Sequence, residues 1–288
     1  MAHAQLVSEW YRMSARDLPW RAPGVGAWPV LVSEVMLQQT PVVRVLPAWT
    51  AWLRRWPTPA DLATASPGDA VRMWGKLGYP RRALRLHECA RAVVARFGGE
   101  VPREVAELES LPGVGAYTAR AVAVFAFGQR HPVVDTNVRR VIARAVLGQA
   151  EAGPPSAARD HAVVAALLPE DPSLAGRVSV GLMELGALVC TARAPQCGAC
   201  PLAASCAWRR AGAPPYSGPR ARPQRFAGTD RQVRGLLLDV LRASEGPVPR
   251  QALDVVWPHA VQRERALDAL VTDGLLDPLP DGRFALPS

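Results

Sequence analysis

Residues 111–144, LPGVGAYTARAVAVFAFGQRHPVVDTNVRRVIAR, place a glycine turn before one predicted helix and an aspartate before a second. Gly113 and Gly115 permit a tight turn whose backbone N–H groups point outward. The Ala-rich run that follows is long enough for a helix, and a glycine turn at a helix N-terminus can seat a phosphate group. Asp135 has the position of an N-cap for the helix predicted at residues 136–147. The stretch therefore predicts a phosphate-binding turn and a carboxylate, separated by a single helix.

Two parts of this stretch resemble a known superfamily. LPGVG resembles the turn of the helix-hairpin-helix motif of DNA-binding proteins, and VDTNVRRV resembles the catalytic aspartate segment of the helix-hairpin-helix DNA glycosylases, the endonuclease III superfamily. The resemblance implies a catalytic role for Asp135, with support from Tyr117 and Asn137, which match family residues. The alternative is that Asp135 only caps its helix. The resemblance also implies DNA contacts by the hairpin residues Leu111, Gly113, Val114 and Gly115.

A second carboxylate stands in an apolar helical segment, LVSEVMLQQT at residues 31–40. Burial of Glu34 among these apolar neighbours would raise its pKa and suit it to act as a general acid near neutral pH. The segment closely resembles the one that carries the catalytic glutamate of MutY-type adenine DNA glycosylases. Endonuclease III has a glutamine there, so Glu34 favours MutY within the superfamily. The resemblance implies that Arg21 orients Glu34 and that Gln39 and Thr40 contact the base opposite the target.

Leu77, Gly78 and Tyr79 resemble the Leu-Gly-Tyr-Tyr turn with which MutY enzymes wedge into the duplex beside the target base. The sequence departs from that pattern at two positions. Pro80 replaces the second tyrosine, and Lys76, the sole lysine of the chain, stands where glycine is usual. The resemblance implies a wedge at residues 77–79 whose detailed geometry differs from that of the family.

Four of the five cysteines follow the spacing C-x6-C-x2-C-x5-C at Cys190, Cys197, Cys200 and Cys206. Four thiols within seventeen residues, in a chain without an export signal, indicate a metal centre rather than disulfides. Structural zinc sites usually pair two C-x2-C knuckles, whereas one such knuckle with two longer gaps favours a [4Fe–4S] cluster, with zinc as the alternative. The array matches the cluster loop of endonuclease III and MutY at all four positions, and the resemblance implies that the loop positions DNA.

The composition suits a partner that is a polyanion. The 288 residues carry a net charge of +9, with an isoelectric point of about 10.1, although solubility alone is an alternative explanation. The sequence predicts no membrane span, because it has no uncharged run of eighteen apolar residues. The N-terminus lacks the basic start and apolar region of a secretory signal. We expect a monomeric, cytoplasmic and nucleoid-associated bacterial protein.

The sequence predicts an all-α protein with the helix-hairpin-helix glycosylase fold, a cluster loop and a small second domain. The catalytic domain is expected at 1–210, with a six-helix barrel at about 21–127 and a cluster-bearing subdomain from 1–20 and 128–210. Residues 211–227 are rich in Pro, Gly and Arg and predict a linker.

The remaining residues, 228–288, resemble a winged helix. Three helices are predicted at about 230–243, 249–256 and 261–273, followed by a hairpin with Asp281-Gly282 at its turn. The resemblance to MutY covers residues 7–210, and the Nudix-like domain of long MutY enzymes is not expected here. Residues 211–288 hold ten arginines against nine acidic residues, so both DNA binding and docking on the catalytic domain stay open for this tail.

The combined resemblance implies a monofunctional glycosylase that removes adenine opposite 8-oxoguanine or guanine in double-stranded DNA. Glu34 would protonate the leaving base, and Asp135 would stabilise the cationic sugar. Bifunctional relatives carry a lysine amine just after the hairpin, where this chain has Tyr117. Two alternatives are a thymine or uracil mismatch glycosylase on the same fold and a non-catalytic iron–sulfur DNA sensor whose winged helix reads an operator. The presence of both carboxylates argues against the sensor.

Overall fold

A computed structural model describes residues 2–218 and 225–288, and most of its regular structure is helical. The predicted linker lies partly outside these residues. The first helices are α1 (Ala2–Ser14), α2 (Ala27–Leu37), α3 (Val42–Arg55), α4 (Pro59–Ala63), α5 (Pro67–Trp74), α6 (Arg81–Phe97), α7 (Val105–Glu109) and α8 (Ala116–Phe125). They are followed by α9 (Thr136–Ala145), α10 (Ala157–Leu167), α11 (Pro172–Leu188) and α12 (Ala207–Arg210). Short 3₁₀ helices lie at Pro19–Arg21 and Cys197–Ala199.

The C-terminal segment has the element order of a winged helix. It consists of α13 (Asp230–Ala243), β1 (Val248–Pro249), α14 (Arg250–Asp254), α15 (Ala260–Thr272), β2 (Asp277–Pro278) and β3 (Arg283–Ala285). The three short strands form an antiparallel sheet in the order β1-β3-β2, and Phe284 pairs with both Val248 and Pro278. Gly282 adopts φ +80° at the hairpin turn, as the Asp-Gly pair predicts. The predicted all-α fold with a small winged-helix-like domain is confirmed.

The chain forms two compact units, each assembled from segments that are distant in sequence. One unit contains Met1–Val30, Arg103–Glu109 and Gly115–Arg220, and the other contains Leu31–Pro102, Ser110–Val114 and Ala221–Ser288. The C-terminal domain therefore belongs to the same unit as most of the expected six-helix barrel. The tail makes backbone hydrogen bonds and ion pairs to α5 and α6. Docking on the catalytic domain is one of the two alternatives that the sequence leaves open for this tail.

The core of the first unit is built around α11, which contacts α1 and α9. Two glycines of α11 allow these close approaches. A Cβ atom on Gly181 would lie 2.7 Å from Val7 Cγ1, and one on Gly186 would lie 2.7 Å from Asn137 Cβ. Real Cβ atoms do not approach other atoms so closely, so each glycine lets one neighbouring helix come nearer to α11 than any other residue would.

The second unit has an aromatic core. Trp52 and Trp74 are buried, and the Trp52 ring meets Trp56 and Trp74 edge to face at centroid distances of 4.7 and 5.7 Å. Thr58 and Ser66 cap α4 and α5 by accepting hydrogen bonds from backbone N–H groups. None of the helices in the part of the chain that the structure describes has the length and apolar character needed to cross a bilayer.

Glu184 on α11 is a buried charge at the centre of the first unit, and two arginines neutralise it. Arg16 donates from Nε and Nη2 at 2.6 and 2.8 Å, while Arg21 Nη2 donates to Oε2 at 3.0 Å. The Glu184 side chain is fully buried. These donors outweigh its desolvation and lower the pKa of Glu184 to about 2.

Replacing Glu184 by Gln should lower the free energy of unfolding at pH 7 by about 3 kcal/mol. This value is at the lower end of the range for breaking a buried ion pair, because the Arg16 side chain is one-third exposed. The depressed pKa makes this contribution complete above pH 4.5 and removes it as the pH falls towards 2. Urea titrations at pH 7 and about pH 2.5 should show the difference shrinking. As a control, Asp281→Asn removes an exposed pair with Arg283 and should shift the midpoint little. An equal loss at both pH values would contradict this account.

Candidate active site and cluster loop

The helix-hairpin-helix is formed by α7, a turn and α8. Gly113 adopts φ +77°, and a Cβ there would lie 2.8 Å from Arg85 Cβ, so this position requires glycine. Leu111 and Val114 are buried and anchor the turn, in which Val114 N donates to Leu111 O at 3.2 Å. Gly115 has an extended backbone with no atom within 4 Å of its Cβ position, which leaves space at the N-terminus of α8. The predicted turn is confirmed.

Glu34 lies on α2 within the second unit and is only 6% exposed. Its immediate neighbours Ser33 and Val35 are also buried, as are Leu31, Val32 and Met36. The prediction of a buried carboxyl group in an apolar helix is confirmed.

Asp135 caps α9 in the first unit. Its Oδ1 accepts a hydrogen bond from Val138 N at 2.7 Å, and its Oδ2 accepts one from Asn137 Nδ2 at 2.8 Å. Burial raises the pKa of Asp135, although these hydrogen bonds and Arg140 oppose the shift. A carboxylate has about four acceptor positions, so capping leaves capacity for another contact. The cap that sequence reasoning set against catalysis is present, and it is compatible with catalysis.

Arg140, which the sequence did not single out, connects Asp135 to the start of the cluster loop. Its Nη2 donates to Asn137 Oδ1 and to Gly186 O, each at 2.7 Å, and its Nε donates to Cys190 O at 2.7 Å. Because the guanidinium occupies Oδ1 of Asn137, the amide must present its N–H to Asp135. Asn137 therefore fixes the direction of the Asp135 carboxylate, and its supporting role in catalysis stays a prediction.

Tyr117 lies at the start of α8 and packs against the cluster of Ala121, Val124 and Val133. Val133 is two residues before Asp135, so Tyr117 lies near the segment of the chain that leads to the capped carboxylate. Arg21 is held elsewhere in the same unit, because its guanidinium pairs with Glu184. This pairing was not foreseen, and the orientation of Glu34 by Arg21 stays a prediction.

The residues expected to meet the opposite base and to wedge into DNA lie together in the second unit. The opposite-base loop, residues 38–40, contains Gln39, which is exposed and has φ +55°. Thr40 is buried, and its Oγ1 lies 3.4 Å from Leu77 O, to which it donates. The wedge loop, residues 76–79, joins α5 to α6. The hydrogen bond from Thr40 to Leu77 makes the wedge loop and the opposite-base loop direct neighbours.

Within the wedge loop, the structure separates the roles of the three predicted residues. Leu77 is 5% exposed and serves as an anchor, so it is not a surface wedge in this conformation. Gly78 has φ +86°, and its carbonyl accepts a hydrogen bond from Trp74 Nε1 at 2.9 Å. Tyr79 is 50% exposed and has φ +48°, an uncommon backbone conformation for a residue with a side chain. Tyr79 is the side chain that faces solvent.

Arg82 holds the two loops together, although the sequence gave no reason to select it. Its Nη1 donates to Val35 O, Met36 O and Gln38 O at 2.6–3.0 Å, and its Nη2 donates to Thr40 Oγ1 and Gly78 O at 2.9 and 3.1 Å. The guanidinium also lies over the rings of Trp74 and Tyr79. Burial lowers the pKa of Arg82 to about 10, so it stays charged at neutral pH.

The four cysteines of the predicted array line one open pocket, together with apolar side chains such as Leu185. Within residues 2–218 and 225–288, no three His, Cys, Asp or Glu side chains are grouped as ligands for a single metal ion. Thiols arranged around a shared space suit a cubane better than a single zinc ion. Burial raises the pKa of Cys190 and Cys200, and Arg144 lies 3.5 Å from Cys190 Sγ, where its charge favours the thiolate. The residues present therefore fit a [4Fe–4S] cluster.

The purified protein should be yellow-brown and contain about four iron atoms per chain, because four thiolates hold a cubane cluster. Cys200→Ser removes one ligand and should give poorly soluble protein with weak DNA binding. Cys89→Ser is the matched control, since Cys89 is buried on α6 and outside the array. Metal analysis that finds one zinc and no iron would overturn the assignment.

Comparisons with known proteins agree with this geometry. The family model of the HhH-GPD superfamily of base excision DNA repair proteins matches residues 32–163. The model of the iron–sulfur binding domain of endonuclease III matches residues 190–206, the segment that holds all four cysteines of the array. The [4Fe–4S] cluster is therefore the cofactor of this loop.

Three similar proteins define the relationship. The adenine DNA glycosylase of Mycobacterium tuberculosis is 62% identical over 279 residues, which are 96% of this chain and 91% of the relative. A thermostable thymine-DNA glycosylase superposes with a TM-score of 0.66 at 27% identity over 72% of this chain and 95% of its own. A trapped endonuclease III–DNA covalent intermediate has the same fold, with a TM-score of 0.62 at 23% identity over 73% and 96% of the two chains. The chain belongs to the adenine DNA glycosylase family, within the helix-hairpin-helix superfamily of base excision repair proteins.

Proposed function

We propose that this enzyme removes adenine mispaired with 8-oxoguanine or guanine in double-stranded DNA by hydrolysing the N-glycosidic bond. One observation supports the proposal: the chain has a buried Glu34 and a hydrogen-bonded Asp135 and is 62% identical to an adenine DNA glycosylase. We assign the two catalytic carboxylate positions to these residues. The partner is mismatched or damaged duplex DNA, which the basic composition favours. We propose that the enzyme acts as a monomer in the cytoplasm, at the nucleoid.

The reaction follows the two-carboxylate logic of glycoside hydrolysis. After the adenine is flipped out of the duplex, Glu34 donates a proton to the departing base, whose bond to the sugar then breaks. Asp135 stabilises the positive charge that develops on the sugar, and water adds to complete hydrolysis. Arg140 and Asn137 hold the Asp135 carboxylate in place during these steps. The cluster, when bound, supplies a rigid anchor for the loop that presents Arg193, Arg209 and Arg210 to DNA phosphates.

We propose that Tyr79 enters the duplex beside the target while the residues of the opposite-base loop, Gln39 and Thr40, meet the base across from it. Tyr79 suits this role because it is the exposed aromatic side chain of a loop fixed by Arg82. Leu111, Gly113, Val114 and Gly115 would receive the DNA backbone at the hairpin, where the N-terminus of α8 favours a phosphate.

The reaction stops at the abasic site. An amine that attacks the sugar is required for strand cleavage, and this chain has Tyr117 after the hairpin, where bifunctional relatives keep a lysine. The sole lysine, Lys76, pairs with Asp239 at 3.5 Å. Because arginine stays protonated, none of the other basic side chains can replace the amine.

A second candidate is thymine or uracil mismatch glycosylase activity, which the likeness to a thymine-DNA glycosylase favours. A panel of duplexes separates the two. We expect base release from adenine opposite 8-oxoguanine and opposite guanine, no release from adenine opposite cytosine, and none from thymine or uracil opposite guanine. The product strand should stay intact until alkali is added. Release of thymine or uracil without release of adenine would establish the second candidate instead.

Glu34→Gln should slow single-turnover release of adenine by more than ~10²-fold, because it removes the proton donor while keeping the side-chain volume. Affinity for the mismatched duplex should change little. Glu9→Gln, on the exposed surface of α1, is the control for loss of a glutamate and should leave the rate unchanged. A Glu34→Gln rate within a few-fold of wild type would rule out the acid role.

Asn137→Ala should move the acid limb of the pH–rate profile to higher pH. Asn137 donates to the ionised form of Asp135, so its removal raises the pKa of a carboxylate whose pKa burial has already raised. Asp135 must be ionised to stabilise the cationic sugar, and the rate should therefore fall at a higher pH than in wild type.

Single-turnover rates between about pH 4 and pH 8 measure this shift. Thr136→Ala, an exposed change on the same turn of α9, should leave the profile in place. A profile of Asn137→Ala that is lower at every pH by the same factor would argue that Asn137 only supports the fold.

A further inference from the structure

The C-terminal domain packs against the start of α5, the helix that leads into the wedge loop. Gly68 N donates to Pro287 O at 2.7 Å, and a Cβ on Gly68 would lie 2.5 Å from that oxygen. The last residues of the chain therefore lie against the backbone of α5 where only glycine leaves room for them.

Arg72 and Arg242 form a reciprocal pair of contacts at the other end of α5. Arg72 Nη1 donates to Arg242 O at 3.0 Å and to Ser244 O at 2.7 Å, while Arg242 Nε donates to Val71 O at 3.0 Å. The Arg242 side chain is 11% exposed. Buried hydrogen bonds from charged groups to backbone carbonyls are stronger and more directional than surface ion pairs. Both ends of α5 are thus fixed by the C-terminal domain.

Ion pairs continue this contact on both sides of the wedge loop. Asp239 lies 3.5 Å from Lys76, the first residue of the loop, and Asp273 lies 3.2 Å from Arg81, the first residue of α6. Residues 228–288 hold seven arginines against nine acidic residues, a net charge of −2. An acidic domain is attracted to the basic residues that flank the wedge loop and is repelled by DNA phosphates.

In the described part of the domain, the arginines on α15 and just before it are paired with acidic residues. On α15, Arg263 pairs with Asp254, and Arg265 pairs with Asp230. Arg250 before it pairs with Glu264. These arginines are therefore already neutralised by acidic partners inside the domain.

We propose that the C-terminal domain is a brace that positions the wedge loop for base extrusion, and that it does not itself read DNA. This inference rests on the proposed wedge function of Tyr79. That residue has φ +48°, a conformation that persists only when its surroundings hold it. Arg82 holds the loop from one side, and Arg242 with the two aspartates holds the flanking helices from the other. Arg242 is accordingly a positioning residue.

The test uses Arg242→Met, which keeps side-chain length but removes the donor to Val71 O. Base extrusion is followed by stopped-flow fluorescence of 2-aminopurine placed beside the target adenine. We expect extrusion from a duplex with intact flanking pairs to slow about tenfold, the effect of one lost buried hydrogen bond. On a duplex with mismatched flanking pairs, whose unstacking costs less, the loss should be under threefold. Thermal melting confirms folding of the variant.

Three comparison variants make the outcome decisive. Arg265→Met removes a pair internal to the domain and should change neither extrusion nor DNA affinity. The double variant Asp239→Asn, Asp273→Asn preserves side-chain shape and removes the ion pairs to Lys76 and Arg81. It should slow base extrusion from the intact duplex, but less than Arg242→Met does. If Arg242→Met does not fold, this variant provides the test of the brace. Tyr79→Ala should reproduce the selective loss on the intact duplex.

Each contrary result has its own meaning. If Tyr79→Ala leaves extrusion unchanged, the wedge function fails and the brace fails with it. If Tyr79→Ala is defective while Arg242→Met and the double variant are not, only the brace is overturned. Equal losses on both duplexes would show a general structural role, and weaker DNA binding by Arg265→Met would show that the domain reads DNA.

Discussion

The guanidinium of Arg140 fixes both Asn137, which holds the Asp135 carboxylate, and the beginning of the cluster loop. A guanidinium has five N–H groups that need acceptors, and three acceptors of Arg140 are Cys190 O, Gly186 O and the amide oxygen of Asn137. The acceptors lie on α9, on α11 and at the first cysteine. Gly186 makes the arrangement possible, because any larger residue would push Asn137 away. The position of Asp135 therefore depends on the packing of α9 against α11 as much as on its own cap.

In the second unit, a guanidinium likewise holds the opposite-base loop and the wedge loop together. Arg82 satisfies carbonyls at the C-terminal end of α2, which carries Glu34, and on the loop that carries Tyr79. The end of a helix leaves carbonyls without partners, and a cation there also complements the helix dipole. One arginine thus joins α2, which carries Glu34, to the opposite-base loop and the wedge loop. The C-terminal domain contacts α5 and α6, the two helices that flank the wedge loop. It therefore acts on the position of the loop through these helices.

Features encoded by neighbouring residues could be predicted from the sequence. The cap by Asp135 needs only the backbone that follows it, the turn at Gly113 needs only a positive φ, and the burial of Glu34 follows from the apolar residues around it. The roles of Arg82, Arg140 and Glu184 could not be predicted, because their partners lie tens to more than a hundred residues away. Leu77 was expected to belong to the wedge with Tyr79, and the structure places its side chain in the core. The tail docks through hydrogen bonds to main-chain carbonyl oxygens such as Pro287 O and Val71 O. Every residue has such an oxygen, so the sequence does not indicate which of them make contacts.

The near absence of lysine links this architecture to the chemistry. A planar guanidinium can bind several carbonyls in fixed directions, whereas an ammonium group is a compact point charge with a strong hydration shell. The chain therefore uses arginine at each buried junction, and arginine cannot form an imine with an opened sugar. Its one lysine is bound to Asp239 beside the wedge loop, and the position after the hairpin holds Tyr117. Because the position after the hairpin holds a phenol and no lysine amine, water is the nucleophile that completes the reaction. The side chains that make the scaffold rigid thus also confine the enzyme to hydrolysis.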